Sequence, residues 1–315
     1  MFVLRCLGVS LACFLVLYGI VSLAVSLAWA RVRSAAARFS ARRLADVLFL
    51  LRELPFLLAA GITLAFVVPS FLLLEPRVVA EPVGEIPLTL GAACLLLFGA
   101  GLLNAISAQA RTSRTVAGWL QGAIAGSDCH PVRLYRIQPS TPALTVAGIC
   151  DPRVLLSQAA AAALNATELA AALKHEIAHV RRRDNLKKLL FRLCVFPRMS
   201  KLEAAWSEAA EMAADDAAVS NSREALDLAS ALIKLSRFAP LQTPALVMGL
   251  MQGSGSALNA RISRLVMWDE TRKVQRHPFL PWYLAPTLLG GIFGMVMTYS
   301  VALSCMHQMT EWLVR

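Results

Sequence analysis

Four stretches of the sequence carry no charged residue over a length that can cross a lipid bilayer, which takes about 20 helical residues. They are residues 7–30, 54–74, 86–110 and 281–305. Hydrophobic residues make up 57% of the chain and charged residues 16%, against about 45–50% and 25% in soluble domains. These values exclude a chain that is soluble throughout, a disordered chain and a small disulfide scaffold. The sequence therefore predicts an α-helical membrane protein with four transmembrane helices.

We divide the chain into four predicted spans and the segments that connect them. The spans are residues 1–30, 54–74, 88–107 and 278–305. The other segments are a cytosolic basic loop at 31–53, an outer loop at 75–87, a cytosolic domain at 108–277 and a short outer tail at 306–315. The first span could be a secretory signal peptide, but its apolar length exceeds the usual range of about 7–15 residues. We therefore expect it to remain as an anchor.

Charged residues in the short loops predict the orientation, because Lys and Arg are retained on the cytoplasmic side of a membrane. Residues 31–53 contain six arginines and two acidic residues, whereas residues 75–87 contain one arginine and three glutamates. The first loop is therefore predicted to be cytoplasmic and the second to face outward. The domain at 108–277 then lies in the cytoplasm, and both termini lie outside the cell (inner) membrane. This topology accounts for the net charge of +11, and we expect no direct nucleic-acid binding, since no DNA-reading motif is present.

Residues 175–179 contain an HExxH pattern, His-Glu-Ile-Ala-His. Asn165 and Glu168 form a helix N-cap signature ahead of it, and apolar residues recur at helical spacing, so the motif is predicted on a helix. His175 and His179 then project from one face one turn apart, as two ligands of a tetrahedral zinc ion would. Glu176 lies beside them, within reach of a water molecule at the metal, and is predicted as the catalytic base. We expect one Zn²⁺ per chain; the alternative is a structural pair of surface histidines.

A catalytic zinc site usually has three protein ligands, so a third must come from another element. The best supply is the strongly helical stretch 201–219, which contains Glu208, Glu211 and Asp215. Glu211 and Asp215 share a face at i, i+4, so Glu211 can bind the metal while Asp215 holds a ligand histidine by its second ring nitrogen. Glu208 lies one turn earlier on the same face. From these residues alone, both glutamates remain open as the third ligand.

These motifs resemble the zinc metallopeptidases of the BlaR/MecR type, the transmembrane β-lactam receptors and their relatives. The pattern of that family is HExxH with a downstream ExxxD, which His175 to His179 and Glu211 to Asp215 match here. Residues 142–157 resemble the strand segment that precedes the zinc helix of the family, and residues 258–262 resemble its closing segment. The resemblance implies that Glu211 is the third ligand. It also implies a mainly α (α+β) zincin-like domain between the third and fourth spans.

The same resemblance implies a zinc endopeptidase that acts in signalling, with a cytosolic transcriptional repressor or the protein itself as substrate. The β-lactam receptors carry a penicillin-binding sensor after the fourth span, where this sequence has residues 306–315. We therefore do not expect direct acylation by a β-lactam. The predicted partners are the protein substrate and the lipid bilayer, and a GxxxG pattern at Gly290 and Gly294 is compatible with a homo-oligomer formed through the spans.

Two other functions stay open as alternatives. An HtpX-like quality-control peptidase also carries HExxH and ExxxD, but that family has further spans between the motifs, and no apolar run of spanning length separates His179 from Glu211 here. A non-catalytic signal transducer could keep zinc as a structural staple, although no Cys or His is placed to close the fourth position. Finally, short strands at 132–137, 143–149 and 153–157 predict a small sheet whose open edge would bind an extended substrate.

Overall fold

A computed structural model of the protein describes residues 2–36, 39–76, 84–126, 132–138, 142–238, 246, 248–249, 255–268 and 297–310. Contacts within the chain divide it into two compact units. One unit comprises Met1–Ala28, Glu53–Ala100 and Lys273–Arg315, and the other comprises Trp29–Arg52 and Gly101–Arg272. The second unit contains residues 108–272 of the predicted catalytic domain, and residues 273–277 fall in the first unit.

Long apolar helices make up most of the first 120 residues. They are α1 (Phe2–Ala36), α2 (Ala41–Ile62), which continues through a π-helical turn (Thr63–Val67) into α3 (Val68–Leu74), and α4 (Glu85–Leu120). Within the described residues, three helical segments are long and apolar enough to cross a membrane: Phe2–Trp29, Ala41–Leu74 and Glu85–Leu120. Most of the predicted fourth span, residues 278–296, lies outside the described residues, and a helix α11 follows at 297–310.

Residues 41–53, predicted as part of a basic loop, instead form the first turns of α2. Ala41, Ala45, Leu48 and Arg52 are all buried, and their spacing puts them on one face of the helix. Of the arginines that suggested a loop, Arg42 and Arg43 are exposed on the other side of α2, and Arg52 is buried. Likewise, α4 continues to Leu120, beyond the predicted end of the third span at residue 107. Both helices therefore extend into the unit that holds the catalytic domain.

The three predicted strands are confirmed, and two further short strands complete a mixed sheet. The strands are β1 (Ile124–Ala125), β2 (Arg133–Ile137), β3 (Leu144–Ala147), β4 (Arg153–Ser157) and β5 (Met248–Gly249), in the order β1-β2-β4-β3-β5. Among the described strands, only the β2–β4 pair is parallel. Strand β1 pairs with the outer edge of β2, and β5 pairs with the outer edge of β3. The prediction that an edge of the three-stranded sheet is open to a substrate is therefore wrong. Unpaired backbone groups at a sheet edge favour such pairing.

Six helices accompany the sheet: α5 (Gln158–Ala163), α6 (Ala166–Arg182), α7 (Asp184–Leu193), α8 (Ser200–Ala218), α9 (Ser222–Leu235) and α10 (Gly255–Val266). Side chains alternate between the two faces of a strand, and in β4 both faces are buried. Val154 and Leu156 join a core with Ala172 of α6 and Leu232 of α9. Leu155 packs instead with side chains at the end of α4, including Trp119. The sheet thus lies between α4 and the helices that carry the HExxH and ExxxD motifs.

Candidate metal centre

Helix α6 begins at a capping box, as the sequence predicts. The Asn165 side chain accepts a hydrogen bond from the Glu168 backbone N–H at 2.8 Å, and Glu168 Oε2 accepts one from the Asn165 backbone N–H at 2.9 Å. Two otherwise unpaired donors at the start of the helix are satisfied in this way. The helix then carries His175 and His179 into the interior, where both are buried together with Glu176.

The two histidines meet Glu211 of α8 in one buried cluster. His175 Nε2 and His179 Nε2 are 3.1 Å apart, and each lies 3.5 Å from one carboxylate oxygen of Glu211. Among the described residues, His175, His179 and Glu211 form a group whose possible ligand atoms all lie within 4.8 Å of one another. Glu208, the other candidate for the third ligand, is exposed and does not belong to this group.

A carboxylate lies against the second ring nitrogen of each histidine. Asp215 Oδ1 is 3.0 Å from His175 Nδ1, which is the position expected of Asp215 from the sequence. Asp184 Oδ2 is 2.8 Å from His179 Nδ1. An ionised carboxylate can only accept a hydrogen bond, so the contact with Asp184 assigns a proton to Nδ1 of His179. The charge of Asp215 at 3.0 Å favours the same tautomer for His175. The Nε2 lone pairs of neutral imidazoles then face each other and Glu211.

This arrangement fits a divalent metal ion. Tetrahedral zinc with bonds of about 2.0–2.1 Å would hold its ligand atoms roughly 3.3 Å apart, close to the 3.1 and 3.5 Å separations seen here. Glu211 Oε1 is buried and accepts no hydrogen bond from the described residues. Two imidazoles and a carboxylate form a donor set that suits zinc and leaves one position open. A cation at this point would give all three groups a partner.

The carboxylates around His175 favour its protonated form. Burial lowers the pKa of His175, but its hydrogen bonds with Asp215 and Glu211 outweigh this effect and raise the pKa to about 9. The positive charge of an imidazolium thus compensates part of the charge of the carboxylates. Because zinc binds only neutral imidazole, loading the site requires loss of that proton.

Arg261, from α10, contacts the two carboxylates of α8 that also contact the histidines. Its guanidinium lies 2.9 Å from Glu211 Oε2 and donates to both oxygens of Asp215 at 2.7 and 2.8 Å. Burial alone would raise the pKa of both carboxyl groups, but the charge of Arg261 helps to keep them below their ordinary values. Sequence reasoning missed this role, although an arginine on a helix with apolar Leu258, Ile262 and Leu265 was a usable signal.

Asp184 is a second residue whose role sequence reasoning missed. Helix α6 ends at Arg182, and the left-handed backbone of the next residue, Arg183 (φ 54°), turns the chain so that α7 starts at Asp184. The turn brings the Asp184 side chain back to His179, only five residues earlier. One turn later in α7, burial lowers the pKa of Lys188 to about 8, although the carboxylates of Glu211 and Asp184 oppose the shift.

Residues 128–265, which include every residue of this cluster, match the family model described as BlaR1 peptidase M56. This region is similar to the BlaR1 peptidase family. The resemblance to the BlaR/MecR type predicted from the motifs is therefore confirmed, and the matched range covers both segments, 142–157 and 258–262, that suggested it. The BlaR1 peptidase region begins after the three candidate spans and ends within α10. Among curated proteins and among solved structures, none matches this chain.

Proposed function

We propose that the protein is an integral membrane zinc endopeptidase that cleaves a cytosolic or membrane-proximal protein in a regulated manner. The observation that carries this proposal is the buried group of His175, His179 and Glu211, with the carboxylate of Glu176 beside it on α6. The family match supports a metallopeptidase, and the candidate spans support attachment to a membrane. The substrate, the zinc ion and the signalling role are our inference.

In the proposed mechanism, His175, His179 and Glu211 hold the zinc ion. When bound, the ion supplies Lewis acidity, which polarises a peptide carbonyl and makes water more acidic. Glu176 takes a proton from the attacking water and later donates it to the leaving amine. Asp215 and Asp184 keep each histidine in the tautomer that presents Nε2 to the metal.

The burial of the site supports the regulated part of the proposal. His175 and Glu176 expose 0% of their surface and His179 exposes 2%. A peptide must reach both the metal and Glu176 to be cleaved, so the elements around the site have to separate first. A peptidase with such a closed site would stay latent until an opening signal arrives. By resemblance, its substrate would be a transcriptional repressor or the protein itself.

The HtpX-like alternative is less well supported. Helices α7 and α8 begin in the interval between His179 and Glu211, and no candidate span within the described residues lies beyond residue 120. A non-catalytic transducer would need the fourth position of the metal to be closed. Among the described residues, no Cys or further His joins the metal-binding group.

The Glu176→Gln variant tests the proposed function, because it removes the base and leaves the three ligands in place. We expect one bound zinc per chain and a loss of cleavage of about 10²- to 10⁴-fold, the usual contribution of a general base. The measurement compares the protein fragments, including fragments of the chain itself, in cells that express either form. Glu208→Gln, on the exposed part of α8, is the matched control and should keep both zinc and cleavage. Identical fragments from wild type and Glu176→Gln would contradict a peptidase.

A further inference from the structure

The C-terminal end of α7 is held by side chains from two other helices. The last carbonyl groups of a helix have no partner within that helix. At the end of α7, the carbonyl groups concerned include those of Phe191 and Arg192, and that of Cys194, the residue that follows the helix. Side chains of α2 and α4 satisfy several of them. The contacts come from the parts of α2 and α4 that belong to the same compact unit as the catalytic domain.

Arg52 of α2 makes the largest share of these contacts. Its Nη2 donates to the carbonyl oxygen of Cys194 at 2.7 Å and to that of Phe191 at 3.4 Å, and its Nε donates to Glu203 at 3.0 Å. The guanidinium also lies 5.4 Å from the centre of the Phe191 ring. Arg52 is 2% exposed, so water cannot easily replace it. It therefore connects α2 to the end of α7 and to the start of α8.

Helix α4 meets the same end of α7 through Gly101 and Asn104. A methyl group at Gly101 would overlap the carbonyl oxygen of Leu193, so the two backbones are as close as a glycine permits. Asn104 Nδ2 donates to the carbonyl oxygen of Arg192 at 3.2 Å. Arg52 lies in the helical segment Ala41–Leu74, and Gly101 and Asn104 lie in Glu85–Leu120, both of which are candidate membrane spans.

The N-terminal end of α7 reaches the candidate metal centre. Asp184 is the residue that contacts His179 Nδ1, at 2.8 Å. The neighbouring Asn185 donates to the carbonyl oxygens of Val146 and Gly148, at 3.3 and 3.0 Å, at the end of β3. Helix α7 has 10 residues and is thus about 15 Å long. A regular helix can carry coupling between its two ends as a rigid element, so we expect a shift at Leu193 to reach Asp184.

We propose that α7 is a rigid link through which α2 and α4 set the position of Asp184, and through it the zinc affinity of His179. Arg52, Gly101 and Asn104 are positioning residues in this scheme, since they contact neither the metal ligands nor a substrate. The inference rests on the proposed function only in taking zinc as the ion. In this scheme, a displacement of α2 or α4 near Arg52, Gly101 or Asn104 changes the metal centre through α7.

Gly101→Ala tests the link, with Gly99→Ala as its matched control. Both changes add one methyl group to α4, but the described residues leave open space around Gly99. The probe is Zn²⁺ alone, titrated into the full-length protein in detergent against a chromophoric chelator. All chains carry Glu176→Gln, so that self-cleavage plays no part and an absence of peptidase activity leaves the result valid. Fragment analysis of Glu176→Gln, described above, tests the proposed function separately.

We expect Gly101→Ala to weaken zinc binding about threefold to tenfold, somewhat less than the 10–100-fold effect of removing a partner of a ligand histidine directly. Gly99→Ala should bind zinc as the parent does. Equal affinities for the two variants would overturn the proposal. If Gly101→Ala shows no cooperative melting, Asn104→Ala replaces it, with Gln109→Ala on the same helix as control. In that pair too, an unchanged zinc affinity for Asn104→Ala would overturn the link.

Discussion

Asp215 and Asp216 are neighbours in α8 with different environments. Asp215 is fully buried, 3.0 Å from His175 Nδ1 and paired with Arg261. Asp216 is partly exposed and pairs with Arg264 at 2.8 Å. Each aspartate thus has an arginine partner, but only Asp215 also contacts a proposed zinc ligand. The pair separates the effect of a contact with the ligand from that of a salt bridge between α8 and α10.

Asp215→Asn should weaken zinc binding about 10- to 100-fold, because an amide no longer fixes the tautomer and orientation of His175. Asp216→Asn should change the zinc dissociation constant by less than about twofold, as expected for a substitution outside the site. Chelator competition on the two purified variants provides the measurement. Similar losses in both would mean that packing of α10 on α8, and not the contact with His175, controls the metal.

Residues whose partners are close in sequence were predictable, and those with distant partners were not. The HExxH helix could be predicted because its cap, Asn165 with Glu168, and its apolar spacing are local signals. The acidic helix was also predictable at 201–219, against Ser200–Ala218 in the structure. By contrast, Arg261 meets Asp215 across 46 residues and Arg52 meets Glu203 across 151. No periodicity encodes such pairings.

The choice between Glu208 and Glu211 illustrates the same limit at the level of elements. Both lie on one face of α8, and only the rotation of that helix against α6 decides which one meets the histidines. The two-residue strands β1 and β5 are another case, since they exist through pairing with β2 and β3 and have no pattern of their own. The start of α2 was predicted as a loop because it contains several charged residues. Its buried positions, Ala41, Ala45 and Leu48, recur at helical spacing between them.

In helix α6, a change at the N-terminal cap should affect the stability of the protein without affecting its zinc affinity. Asn165→Ala removes the N-cap and should lower the free energy of unfolding by about 1 kcal/mol. The cap is ten residues before His175, about 15 Å along the helix, so zinc affinity should stay near that of the parent. Thermal unfolding in detergent and zinc titration measure the two effects. Asn165→Ser, which keeps a capping oxygen, should restore stability; if it does not, the cap is not the cause.

At the scale of the whole molecule, the charge distribution predicts which side of the membrane holds the catalytic domain. The loop at 31–53 is rich in arginine and the segment at 75–87 is acidic, and the positive side is retained in the cytoplasm. Among the described residues, the structure adds three helical segments long and apolar enough to span a membrane. The orientation therefore stays a prediction.

Cys150 offers a direct test of sidedness, because it is exposed on the surface of the domain. In a chain whose other cysteines are serine, a membrane-impermeant thiol reagent should label Cys150 only after the cells are permeabilised. Glu85→Cys, introduced into the same chain without Cys150, should be labelled in intact cells, since Glu85 is exposed at the outer start of α4. Labelling of Cys150 in intact cells would reverse the predicted topology.

The contacts of Arg261 bear on whether the protein stays folded in a cell whose zinc supply varies. Because Arg261 contacts both Glu211 and Asp215, we expect the three proposed ligands to keep their arrangement when zinc is lost. Small zinc domains unfold when they lose their ion, and an unfolded chain is open to degradation. Here an emptied molecule would remain intact and could be recharged, so a period of zinc scarcity would silence the existing molecules without destroying them.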